Sequence, residues 1–220
     1  MKTKSKALLL ALCAVLLIAA SVLGTMAYLT SQDQVTNTFS VGSVSITLDE
    51  QDVKPDGTTD TENVDNDTLN ALNRVQANEY HLLPGHKYIK DPIIHVDPTS
   101  ENCYLFVKVV DEIADIEDAE TVATQMANNG WAAVDGVANT YVYIGTDEGA
   151  SVPLAVSGGS NITVFETFKI KGSVTNTELA KYKDKTITVT AYAVQMDGFE
   201  GKKAAEIWST TFGTSALPQN

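Results

Sequence analysis

Residues 103–110 read CYLFVKVV, and residues 186–196 read TITVTAYAVQM. The first run is apolar on both faces apart from Lys108, the mark of a strand buried on both sides. In the second, Ile187, Val189, Ala191 and Ala193 fall on one face, and Thr188, Thr190, Tyr192 and Val194 on the other. That period of two is a strand period. The same alternation appears in TFSVGSVSITLD (38–49), where Val44, Ile46 and Leu48 alternate with Ser43, Ser45 and Thr47. Further strand patterns lie in HKYIKDPIIHV (86–96), in TYVYIGT (140–146), around Trp131 and in NITVFETFKIKG (161–172). Pro92 interrupts the first of these and predicts an edge strand or a bulge. About seven or eight strands result.

Helical signals are short and lie between strands. DAETVATQMANNG (118–130) predicts a helix ending at Asn129-Gly130. Thr175-x-x-Glu178 is a capping-box pattern, and GKKAAEIWSTTFG (201–213) is a third candidate. Helices do not alternate regularly with strands, which argues against a parallel α/β sheet. The pattern predicts an all-β fold, a two-sheet antiparallel sandwich with short helices in its connections.

The N-terminus has the layout of a secretory signal. Lys2, Lys4 and Lys6 precede an apolar run from Ala7 to Leu23, which Gly24 breaks. Thr25, Met26 and Ala27 then place small residues at the −3 and −1 positions of a cleavage site, with Tyr28 the first residue released. Cleavage after Ala27 and retention of the run as an anchor are both open. The expected organisation is a signal helix over 1–27, an arm over 28–38 and a β-domain over 39–220. Removing residues 1–27 takes three lysines and no acid, moving the net charge from −13 to −16. Such acidity argues against nucleic acid and anionic lipid as partners, since both would repel it. Contact with a membrane is then expected only through the signal segment.

Cys103 is the single cysteine after the leader. It sits in an apolar strand pattern and reads as a small buried hydrophobe. Residues 49–67 carry eight acids and one lysine, and read as a solvated acidic loop. A calcium site there stays open, although the glycine and final glutamate of a 12-residue calcium loop are absent. The histidines His81, His86 and His95 are weak metal candidates. Their spacing differs from the helical zinc-protease motif, and Pro84-Gly85 lies between the first two. Ser157-Gly158-Gly159-Ser160 reads as a turn. Trp131, Tyr141 and Tyr143 are either core residues or a stacking platform for a glycan. No catalytic residue and no cofactor are expected.

Four pieces of the sequence resemble the TasA/camelysin family of exported Gram-positive proteins, whose leaders are processed by a SipW-type signal peptidase. They are the leader exit Gly24-Thr25-Met26-Ala27 with Tyr28; the segment NTFSVGSVSITL with Phe39, Gly42 and Leu48; LLPGHKYIKDPIIHV with Leu82, Pro84, Gly85 and Lys90; and the late strand TITVTAYAVQMDGF. The turn that follows the Pro-Gly element departs from the family pattern, and the acidic loop is longer. The resemblance implies a jelly-roll-like β-sandwich acting outside the cell, in a biofilm matrix or on the surface. It also implies a structural role, in which copies assemble into fibres and a freed arm of one completes the sheet of the next. Partners would be other copies, a minor matrix or anchor protein, and the signal peptidase during export. The arm would present Tyr28, Leu29, Val35 and Phe39; residues 28–39 hold one charge and no proline or glycine. A glycan- or protein-binding module is the alternative, and a camelysin-like metalloprotease a lesser one.

Overall fold

A computed structural model describes residues 3–29, 42–60, 73–147 and 151–213 of the chain. Two compact units divide it, Met1–Val41 and Gly42–Asn220. In the first, helix α1 spans Thr3–Leu29. The helix runs on through Gly24, the residue that ends the apolar run. One glycine costs a helix only about 1 kcal/mol relative to alanine, and the flanking Leu, Met and Ala residues are good helix formers. Leu8, Leu12 and Leu16 are exposed on α1. Among the described residues no helix is long and apolar enough to cross a membrane.

The second unit is built from antiparallel sheets. In chain order come β1 (Ile46–Gln51), β2 (Arg74–Val75), β3 (Lys87–Ile89), β4 (Ile93–Val96), β5 (Cys103–Asp111) and helix α2 (Val122–Asn128). There follow β6 (Trp131–Ala133), β7 (Thr140–Tyr143), β8 (Ala155–Val156), β9 (Asn161–Thr163) and β10 (Thr167–Lys169). Helix α3 (Asn176–Leu179), β11 (Ile187–Gln195) and helix α4 (Ala204–Phe212) complete it. One sheet has the order β2-β1-β4-β9, a second β11-β5-β7-β6 with β8 also on β5, and β3 pairs with β10. The second unit is thus mainly β, in antiparallel sheets with a few short helices, as its patterning predicts.

The double-faced apolarity of the 103–110 run has a direct cause. Leu105, Val107 and Val109 of β5 join a core with Ile46 and Leu48 of β1, Ile94 and Val96 of β4, and Val189 and Ala191 of β11. Tyr104 and Phe106 point the other way, into a second core with Val142, Val194 and the α4 residues Ile207 and Trp208. The five-stranded sheet is therefore covered on both faces, and β5 lies in its interior. Trp208 anchors the second core: its ring centroid lies 5.5 Å from Phe106, 5.1 Å from Tyr192 and 4.7 Å from Phe212.

Local signals behave as their chemistry dictates. Asn129 caps α2 before Gly130, and Thr175 and Glu178 form a complete capping box on α3. Gly158 of the Ser-Gly-Gly-Ser turn sits where a Cβ would lie 2.8–2.9 Å from the carbonyl oxygens of Pro98, Asp97 and Ser100.

Two expectations need correcting. The 86–96 run is two strands in two sheets, and β4 lies between β1 and β9 instead of at an edge. Pro92 sits buried in the crossing between them, outside both ladders, so its missing N–H removes no ladder bond. Its carbonyl accepts from Val164 N–H. The acidic stretch does not begin as a loop. Asp49 and Glu50 belong to β1, and Glu50 is only 4% exposed. Basic partners described below allow those acids into a strand. Val53 and Thr59 then close a small hairpin, and residues 61–67 lie outside the described residues.

Candidate functional site

Strand β11 is nine residues long and contains no charge, proline or glycine. It ends the strand order of its sheet, paired with β5 alone among the described strands. The phase of its ladder follows from its continuations. Met196 N–H donates to Asn102 O, and Glu112 N–H to Thr186 O, both in register with the pairs Thr188↔Val110 to Val194↔Tyr104. In an antiparallel pair, hydrogen-bonded and non-hydrogen-bonded positions alternate. The even-numbered residues of β11 therefore face β5, and the N–H and C=O of Ile187, Val189, Ala191, Ala193 and Gln195 point away from it. No described residue donates to or accepts from those outward groups. Thr188 and Thr190 are exposed beside them. At the start of the strand Glu112 holds its entry, accepting from Lys185 Nζ at 2.8 Å and Thr186 N–H at 3.0 Å. Natural sheets blunt such edges with charge, proline or bulges; none of these devices is present within β11.

A second concentration of chemistry lies at the end of β1. Arg74 is the only arginine of the chain. It bonds the Asp49 carboxylate through Nε, Asp91 Oδ2 at 3.0 Å, and the carbonyls of Asp49 and Asp91 at 3.0 and 2.9 Å. His95 bridges Asp49 Oδ1 at 3.0 Å and Asn161 Oδ1 at 2.7 Å. Burial alone would raise the Asp49 carboxyl, but the bonds from Arg74 and His95 outweigh it and hold it below its ordinary value. Next to this clamp, Glu50 binds Lys90 Nζ and Asn78 Nδ2. Tyr80 lies nearby, its hydroxyl donating to Ile89 O at 3.0 Å. Burial, then the charges of Glu50 and Asp91, raise the Tyr80 phenol far above its usual range.

The residues singled out from sequence are dispersed. Thr25, Met26, Ala27, Tyr28 and Leu29 lie in the last turns of α1, so the arm does not start extended in the intact chain. Helix-forming Met26, Ala27 and Leu29 continue the leader's helix there. Val35 and Phe39 lie outside the described residues. His81 is exposed; His86 packs on Tyr88 and bonds Asp56 O at 2.7 Å; His95 serves the Asp49 clamp. Among the described residues no group of three or more His, Cys, Asp and Glu is placed to hold a metal ion. Trp131 is 3% exposed and donates Nε1–H to Thr163 O at 2.9 Å, so it is a core residue. Cys103 is fully buried, and burial pushes its thiol up to about 11. The Glu50–Lys90–Asn78 group escaped the sequence reading because its members are brought together across 28 and 40 residues. No protein-family model, curated protein or solved structure matches this chain.

Proposed function

We propose that this chain is a secreted structural protein of a Gram-positive extracellular matrix or cell surface, and that copies assemble into fibres by adding a strand to the outer edge of β11. The observation that carries this reading is the edge itself: nine uncharged residues with five sets of outward main-chain groups. An edge of this kind offers the hydrogen bonds of a further strand to any extended segment. Support also comes from the resemblance to the TasA/camelysin family. In this reading the two larger sheets are the layers of a jelly-roll-like sandwich, sharing the core around Leu105 and Ile94. Helix α1 is the signal helix, and residues 28–38 are the arm. Cleavage after Ala27 cuts α1 near its end and removes the turns on which Tyr28 and Leu29 are wound. The freed residues then have no helix to continue and are available to an edge.

Chains starting at Tyr28 and at Thr38, and a Tyr28 chain carrying Thr188→Lys and Thr190→Lys, test this. Electron microscopy is expected to show filaments only for the first. The two lysines leave the β5 ladder intact but set charge beside the edge. Equal filaments from the Thr38 chain would sink the arm, and equal filaments from the lysine variant would sink the β11 edge. Glycan binding by a strictly monomeric preparation would favour a binding module instead.

A further inference from the structure

The Glu50 carboxylate holds two nitrogens at once. Its Oε2 accepts from Lys90 Nζ at 2.6 Å and its Oε1 from Asn78 Nδ2 at 2.9 Å. Glu50 is 4% exposed, and the Lys90 side chain 11%. A buried ion pair is a weak stabiliser in general, because desolvation offsets most of the attraction. The third member is a neutral amide with a specific setting. Asn78 Oδ1 accepts from Val53 N–H at 3.0 Å, and Nδ2 donates also to Gln51 O at 2.8 Å. One amide carbon thus has its oxygen on an N–H donor and its nitrogen on a carboxylate that also carries an amine.

Those are the parts an acyl transfer needs: a nucleophile, an acid–base group shared by nucleophile and leaving group, and a donor where negative charge develops. We propose that Lys90 and Asn78 form an intramolecular isopeptide bond, with Glu50 moving the proton between them. Lys90 gives one ammonium proton to Glu50. The lone pair of the neutral amine forms the Nζ–Cγ bond to Asn78, and the carbonyl π pair moves onto Oδ1, opposite Val53 N–H. Glu50 passes its proton to Nδ2. The carbonyl re-forms, the Cγ–Nδ2 bond breaks, and ammonia departs. The proton shed by the new amide nitrogen returns to Glu50 and leaves with ammonia as ammonium. One amide replaces another, with no oxidant, reductant or added reactant.

The surroundings suit this chemistry. Tyr80 lies close enough to Glu50 to be influenced by its charge, and its ring packs edge-on against Tyr88 and Phe168. Such an aromatic wall excludes water, which would otherwise compete with the amine for the amide carbon. The bond would fasten the segment after β2 to the end of β3. Residues 28–220 contain one cysteine, so no disulfide within them can do the same.

Mass spectrometry of the full chain expressed in cells decides the matter, independently of assembly. The protein is expected to be lighter by one ammonia. Trypsin is expected to release residues 75–87 joined to residues 88–108 through positions 78 and 90, with no cleavage after the acylated Lys90. Lys90→Arg and Asn78→Ala should each show the full mass and separate peptides, as should Glu50→Gln. Separate peptides from the unaltered protein would overturn the proposal, whether or not an ammonia is missing. Joined peptides from Glu50→Gln would overturn the role of Glu50.

Discussion

Glu117 is a carboxylate in the wrong solvent. It is 2% exposed; Oε2 accepts from Val122 N–H at 3.0 Å, and Oε1 has no partner among the described residues. Burial, with a smaller push from Asp111, raises its pKa from 4.5 to about 7, against the Val122 bond and the positive Lys171. The sign for stability follows. Above pH 4.5 the unfolded chain gives up this proton, while the folded chain keeps it until about 7. The folded state binds more protons in that window, so stability falls as pH rises through it. Glu117→Gln keeps an acceptor for Val122 and removes the titration. Urea unfolding of the variant should lose roughly 1–3 kcal/mol less than the parent between the two ends of the window. Parallel pH profiles would show that Glu117 is not the group responsible.

Elements differ in how far their own residues announce them. The alternation in β11, the box on α3 and the Asn-Gly end of α2 are local chemistry, and each stands where its residues place it. Which sheet a strand joins is not local. Nothing within 86–96 says that Tyr88 pairs with Phe168 while Ile94 pairs with Leu48. Glu50 reads as part of an acidic run until Lys90 is placed beside it. The junction of α2 and β6 depends on one backbone position. Gly130 has φ +85°, and a Cβ there would lie 2.5 Å from the carbonyl carbon and oxygen of Gly145. Gly130→Ala therefore combines left-handed strain with a backbone clash that no rotamer relieves. A loss of about 2–4 kcal/mol in chemical denaturation is expected. A loss below about 1 kcal/mol would mean that the β6–β7 hairpin gives way easily.

At the scale of the whole molecule, charge opposes the proposed assembly. The full chain carries −13, and −16 without residues 1–27, so copies repel at long range. Raising ionic strength from about 0.01 to about 0.15 M shortens the screening length from about 30 to about 8 Å. Filament growth, followed by light scattering, is expected to accelerate over that range. Growth that slows with salt would point to an attractive electrostatic interface in place of main-chain pairing at β11.

Asp52 has a use that its position in an acidic stretch conceals. Its N–H donates to Asn73 O at 2.9 Å and its carbonyl accepts from Asp60 N–H at 3.1 Å. Both banks of the twelve residues between Asp60 and Asn73 are moored to this one post, and Arg74 bolts the far bank to Asp49 and Asp91. A backbone shift at Asp52 therefore reaches Asp60 and Asn73 together, and through Arg74 the ends of β1 and β2 beside them.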